Sequence, residues 1–180
     1  MTPRLETARL ILREPEPADL DGYAELFGDP EVMRWIGDGV PLPRAQVAER
    51  IERMLAHWRR YDTGLFTVLD REGEFVGRVG LLLWDAESWV SAMRAEPRGK
   101  TELEIGWSIV RARWDHGYAT EAAVAVRDWI TKERGARRLI SLIASGNRAS
   151  VRVAEKIGER FERGGIPGFP FATDLYSLAR

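Results

Sequence analysis

Apolar residues recur along this chain with two spacings, and the places where one gives way to the other mark its elements. Residues 5–13 mix Leu and Ile with flanking charges and predict a first strand. Pro17 suits the first turn of a short helix on which Leu20, Tyr23, Ala24 and Phe27 share a face, stopped at Gly28-Asp29-Pro30. Beyond Pro41 and Pro43, the residues Val47, Ile51, Met54, Leu55 and Trp58 follow a helical period, with arginines and glutamates on the other face. His57, at the end of this Arg-rich helix, is expected to be solvated. Residues 65–69 and 75–83 are apolar runs joined by Asp70-Arg71-Glu72-Gly73, a hairpin signature. Residues 84–100, with Pro97 and Gly99, read as a long loop.

A third apolar run, 103–110, leads through 111–118 into a helix over 119–134 that Gly135 ends. Residues 139–143 predict a compact strand and 147–157 a last helix stopped by Gly158. Two short strands follow, around Phe161 and over 175–178. This order predicts a mixed sheet in an α/β or α+β layer arrangement, not an alternating βαβ series.

Composition narrows the chemistry. With 180 residues, 44% hydrophobic and 31% charged, the chain is expected to fold as one domain over 1–180. A formal net charge of -1 supplies no global basic field for nucleic acid or an anionic membrane. There is no cysteine, and the only histidines are His57 and His116, so thiolate chemistry and a histidine-rich metal site are not expected. The first ten residues carry Arg4, Glu6 and Arg9 without the apolar run of a secretory leader, and a cytoplasmic location is expected.

One segment suggests a ligand. A strand, a glycine-containing turn and a helix N-terminus form a generic anion site, because the first helical N–H groups lack internal partners and the helix dipole adds positive potential. Here the turn runs over 111–120 as Arg-Ala-Arg-Trp-Asp-His-Gly-Tyr-Ala-Thr. It fits neither the dinucleotide glycine fingerprint nor the P-loop, which weakens a nucleotide-binding reading.

Four stretches in order make the chain resemble the GNAT superfamily of N-acetyltransferases, in its RimJ/RimL-like branch. Residues 5–13 (LETARLILR) are similar to that branch's opening strand. Glu104-Ile105-Gly106-Trp107, followed by residues 114–122 (WDHGYATEA), is similar to its acetyl-CoA motif. Asn147-Arg148-Ala149-Ser150 with Lys156-Ile157-Gly158 resembles a second motif, and Asp174-Leu175-Tyr176-Ser177-Leu178 its last strand. The resemblance implies a mixed, mostly antiparallel central sheet flanked by helices and splayed between the strand ending near Val110 and the strand over 139–143. Pantetheine would enter the splay and pair with the backbone of Ile109, Val110 and Arg111. Backbone N–H groups of His116, Gly117, Tyr118, Ala119 and Thr120 would hold the pyrophosphate, and Asn147 would lie near the pantetheine. The sequence departs from the pattern in three places. Asp115 stands where glycine is common, His116 where a long polar residue is common, and Glu159 where a large apolar residue usually follows the glycine.

The reaction implied is direct acetyl transfer from acetyl-CoA, a cosubstrate used without metal, to a primary amine. The acceptor would be a protein N-terminus or a small molecule, and a homodimer is left open. Glu104 is the candidate base, with Glu102 in reserve on the same face of its strand; the plain alternative is an ion pair with an arginine. Ser150 is the candidate donor to the departing thiolate, against a role in capping the helix. Tyr176 is a further possible donor, and Tyr118 is expected to pack. Trp35, Trp84 and Trp107 are assigned to the acceptor pocket, with Trp89 beside Trp84 in the long loop. A non-catalytic acyl-CoA-binding sensor of the same fold is the alternative.

Overall fold

The computed structural model describes residues 3–179. Its strands are β1 (Leu5–Glu6), β2 (Leu10–Arg13), β3 (Leu65–Asp70), β4 (Phe75–Asp85), β5 (Thr101–Ile109), β6 (Arg138–Ala144), β7 (Arg160–Arg163) and β8 (Thr173–Ala179). Its helices are α1 (Leu20–Gly28), α2 (Pro30–Met33), α3 (Arg44–Tyr61), α4 (Tyr118–Lys132) and α5 (Arg148–Lys156), with short 3-10 turns at Pro17–Asp19 and Arg111–Arg113. The expected opening strand is in fact a hairpin, because the chain folds back at Thr7, whose hydroxyl accepts from Leu10 N at 2.9 Å, and Leu5 pairs with Leu12. The loop expected from residue 84 starts later, since β4 stays paired with β5 out to Asp85.

The eight strands form one sheet in the order β1-β2-β3-β4-β5-β6-β8-β7. All neighbours are antiparallel except β5 and β6, which run parallel and meet at the single register pair Glu104↔Ile140. This is the expected mixed sheet with a splay between β5 and β6. Strand alternation then sorts the side chains. Val79, Leu81, Ile105 and Ile109 face Ala122, Val126 and Trp129 of α4. On the other side Leu65 and Leu82 face Tyr23 and Phe27 of α1 and Val47, Ile51 and Met54 of α3. A smaller cluster of Trp89, Ile140, Ile166 and Leu175 closes the far end.

α3 holds a surprise. His57 is buried on its inner face, with Nδ1 2.8 Å from the Thr63 carbonyl oxygen and Nε2 accepting from Leu83 N at 3.4 Å. Burial pushes its pKa down, opposed by the Thr63 hydrogen bond. The expectation of a solvated histidine is therefore corrected: Met54, His57 and Trp58 all fall on the buried side.

Candidate active site

The turn before α4 takes the shape an anion cradle needs. Asp115 (φ 61°) and Gly117 (φ 78°) both sit in the left-handed region, which aspartate tolerates and glycine adopts without penalty. Gly117 caps α4 without any side-chain cap, so the Tyr118, Ala119 and Thr120 N–H groups point out of the helix end unclaimed by a neighbouring side chain. A Cβ at Gly117 would meet nothing nearer than Arg9 Nη2 at 3.6 Å.

Arg9 is the residue that sequence reasoning missed here. It donates to the His116 carbonyl at 3.0 Å, lies 4.6 Å from the Tyr118 ring centroid and pairs with Glu121 at 2.6 Å. Hydrogen bonds from Thr7 and Arg9 hold the Glu121 carboxyl low although burial opposes them. A guanidinium thus stands at the positive end of α4, anchored by an acid of the same helix. Its signal was present in the quoted 5–13 stretch, read there only as strand. His116 is exposed, with Nδ1 2.6 Å from the Trp114 carbonyl oxygen and its ring stacked on Tyr118.

The segment joining β5 to this turn is folded on itself. Val110 N donates to Val76 O at 3.0 Å, Trp114 Nε1 donates to the Ile109 carbonyl at 2.8 Å, and Arg113 N to the Val110 carbonyl at 2.9 Å. Of the residues 109–111 expected to face pantetheine, the Val110 N–H is therefore already used by β4.

Glu104 stands where β5 and β6 part. The Trp84 indole N–H donates to Glu104 Oε2 at 2.6 Å, fixing the carboxylate. Burial raises the Glu104 pKa, and the Trp84 N–H, the Arg78 charge and the Leu142 backbone hold it back. Glu102, the reserve candidate, is ion-paired with Arg138 at 2.9 Å, and Arg138 also binds Glu162. Trp84 stacks obliquely on Phe169, and Trp35 meets Phe171 edge-on and reaches toward Gly146, beside Asn147. Trp107 does not join them. It is an odd number of residues from Glu104, so the pleat turns it to the α4 side, where it packs against the core, and its place in the acceptor pocket is corrected. Trp89 is likewise core, 5% exposed, in the far-end cluster.

On the other side of the splay, Asn147 Oδ1 accepts from Ser150 N at 3.2 Å, an N-cap for α5. The Ser150 hydroxyl makes no hydrogen bond among the described residues. Tyr176 lies edge-on to Phe161 on β8, its pKa raised first by burial. The departure noted at position 159 has a large consequence. Glu159 is 0% exposed, and neither carboxylate oxygen has a hydrogen-bond partner. The nearby Ser141 hydroxyl eases it but is aimed at the Ile105 carbonyl, at 2.8 Å. Burial, with the Glu104 charge adding, pushes the Glu159 pKa up to about 8.

This geometry has known counterparts. A family model for the acetyltransferase (GNAT) domain matches residues 9–160. The uncharacterized protein YkkB of Bacillus subtilis is 35% identical over 162 residues, 89% of this chain and 87% of that protein. The crystal structure of an acetyltransferase from Agrobacterium tumefaciens superposes with a TM-score of 0.79 at 27% identity, covering 100% of this chain and 96% of that one. The ribosomal-protein alpha-N acetyltransferase RimL, solved in complex with coenzyme A, shares the fold (TM-score 0.76, 98% of each chain covered) at 11% identity. The chain belongs to the GNAT family of acetyltransferase enzymes.

Proposed function

We propose that the protein transfers the acetyl group of acetyl-CoA to a primary amine by direct attack in a ternary complex. The observation that carries this reading is the alignment of an uncapped α4 N-terminus, reinforced by Arg9, with a splay at which Trp84 holds the Glu104 carboxylate. The residues fit the cosubstrate. A side chain at Gly117 would stand against Arg9 Nη2, at 3.6 Å, and the Tyr118, Ala119 and Thr120 N–H groups with Arg9 suit a pyrophosphate. Asn147 and Ser150 stand at the start of α5, the helix that follows β6.

Acetyl-CoA supplies the acetyl group already activated as a thioester. The chain's own work is to position an amine and to take its proton. A primary amine must be neutral to attack, and an alkyl amine near pKa ~10.4 needs a base more than an α-amine near ~7.7 does. Glu104, its pKa raised by burial and held back by the Trp84 N–H and the Arg78 charge, serves as that base directly or through one water. The Ser150 hydroxyl, free of other partners among the described residues, is the donor available to a leaving thiolate. Protein N-termini and small amines are both acceptors of the required chemistry.

Release of free CoA over a panel of small amines and N-terminal peptides tests the reading. Amine-dependent release that falls at least tenfold in Glu104→Gln is expected. Tight acetyl-CoA binding with no release for any amine would identify a sensor and overturn the enzymatic mechanism.

A further inference from the structure

Three buried polar groups without partners lie on the α1/α3 face of the sheet: Arg50 Nε, Arg78 Nε and Ser108 Oγ. They are neighbours. Arg78 on β4 and Ser108 on β5 are cross-strand partners in the ladder. The guanidinium carbons of Arg50 and Arg78 lie 4.5 Å and 5.4 Å from the centroid of the same Phe27 ring. Neither arginine forms an ion pair among the described residues, although Arg78 is only 7% exposed.

The surrounding acids are taken. Asp19 is held by Arg13 through contacts of 2.6 Å and 2.9 Å and by the Thr67 hydroxyl at 2.7 Å. Glu104 is the acid whose charge reaches Arg78, and its carboxylate is bound by Trp84. Burial first, then the charges of Arg78, Arg53 and Arg94, push the Arg50 pKa down to about 9 against an opposing effect of Tyr23, a value at which it is still charged at neutral pH. A deeply buried Arg78 reached only by the Glu104 charge, beside a half-buried Arg50 with no ion pair among the described residues, is costly, and a ligand that brings negative charge would offset that cost.

The same face connects this pair to the base. Ser108 and Glu104 are four residues apart on β5, about 13 Å along the strand, with both side chains on one side. Between them lies Gly106, where a Cβ would meet only Glu104 atoms within 4 Å, so no side chain stands on this face of the strand between the two. The cofactor's cradle is at the start of α4, which packs on the opposite face, so these arginines are not needed for its phosphates. Phe27 and helices α1 and α3 close the arginine end.

We propose that Arg50 and Arg78, with the Ser108 hydroxyl, form an anion subsite that receives the carboxylate or phosphate of a small amine acceptor whose amino group reaches Glu104. This assignment rests on the acetyltransferase reading above for its amine, but not for its anion. The closed end favours a ligand that terminates in its charge over a polypeptide that would have to continue past it. Guanidinium pairs bind both oxyanions in forked geometry, so the two sources are separated by experiment.

The test compares butylamine, 4-aminobutyrate and 3-aminopropyl phosphate as acceptors, together with thermal shifts in glutarate or inorganic phosphate against NaCl of equal ionic strength. We expect kcat/KM for one anionic amine to exceed that for butylamine at least tenfold. In Arg78→Gln and Arg50→Gln that ratio falls toward one, with retained acetyl-CoA binding by calorimetry showing that each variant is folded. The anion that raises the wild-type Tm and fails to raise that of the variants identifies the charged group. Equal use of butylamine and its anionic counterparts, or shifts no larger than those in NaCl, would overturn the subsite while leaving acetyl transfer standing. An anion-specific shift lost in both variants, with no amine acetylated, would uphold the subsite and remove the enzymatic reading instead.

Discussion

Replacing Glu159 with Gln keeps the shape of the side chain and removes its titration. In the native protein this carboxyl is enclosed, has no donor aimed at it among the described residues because the nearby Ser141 hydroxyl serves the Ile105 carbonyl, and has its pKa pushed up to about 8 from an ordinary value of 4.5. Below pH 4.5 native and unfolded chains both carry the proton, and the group is neutral in its effect. Between 4.5 and about 8 the native state keeps a proton that the unfolded chain has released, so stability falls as pH rises, and above about 8 the loss is complete. At about 1.4 kcal/mol per pH unit, the wild type loses up to about 5 kcal/mol across this window relative to Glu159→Gln. Carboxylates with lowered pKa, such as Asp19 and Glu121, destabilise both proteins equally in acid and cancel in the comparison. Urea denaturation of both proteins from pH 5 to pH 9 reads the difference directly. The gap should open steadily in favour of the glutamine variant and level off near pH 8–9. Parallel stability profiles would refute the reasoning and place a donor or water on the carboxylate.

Gly117→Val forces a β-branched residue to φ 78° and puts a side chain into the turn, so acetyl-CoA binding should fall at least a hundredfold by calorimetry with the fold retained by circular dichroism. Unchanged affinity would remove the pyrophosphate from this turn. Glu104→Gln should lower kcat at least tenfold and flatten the acidic limb of the rate profile, and a wild-type pH profile would exclude Glu104 as base. Trp84→Phe deletes the N–H that favours the ionised carboxylate, so the acidic limb of kcat/KM should move to higher pH; an unmoved limb would separate Trp84 from the base. Asn147→Ala removes the α5 cap and should destabilise by about 1 kcal/mol in urea. Ser150→Ala keeps that cap, which uses the backbone N–H, so its loss of turnover isolates the hydroxyl.

The pattern of apolar positions carries most of this architecture, because α3, α4 and the β3–β4 hairpin each bury one well-defined stripe or alternating set. Its failures have local causes. The β1–β2 reversal rests on the Thr7 side chain contacting Leu10 and Glu121, and the Glu121 contact spans a sequence distance that no window covers. His57 reads as solvated because arginines surround it in sequence, yet it faces Thr63 and Leu83 in space. Arg50 and Arg78 hide the same way, as charges within amphipathic runs, and only the packing of Phe27 between α1 and the sheet reveals them as enclosed. In the turn before α4, the αL positions at Asp115 and Gly117 were legible from residue type. The supporting Arg9 was not, since it arrives from the opposite end of the chain.

The single register pair of β5 with β6 at Glu104 and Ile140 leaves a seam in the one sheet, although Leu139 of β6 shares the core with Ile105 and α4. Strands β1 through β5 carry α1, α3 and the inner face of α4, while β6, β8 and β7 form a smaller leaf closed by Trp89, Ile166 and Leu175. Elsewhere in the sheet a ladder of backbone hydrogen bonds resists separation of neighbours; at this seam one register pair does, helped by the Ser141 hydroxyl on the Ile105 carbonyl and the Arg138–Glu102 ion pair. A ligand strung along the seam would act as a stitch, and the free energy of holding it would appear as resistance of the whole protein to unfolding. Amide exchange along the open edges at residues 105–109 and 141–144 should then slow more than exchange in β3 when acetyl-CoA is added. A cosubstrate held at this seam would complete the sheet as well as supply the reaction.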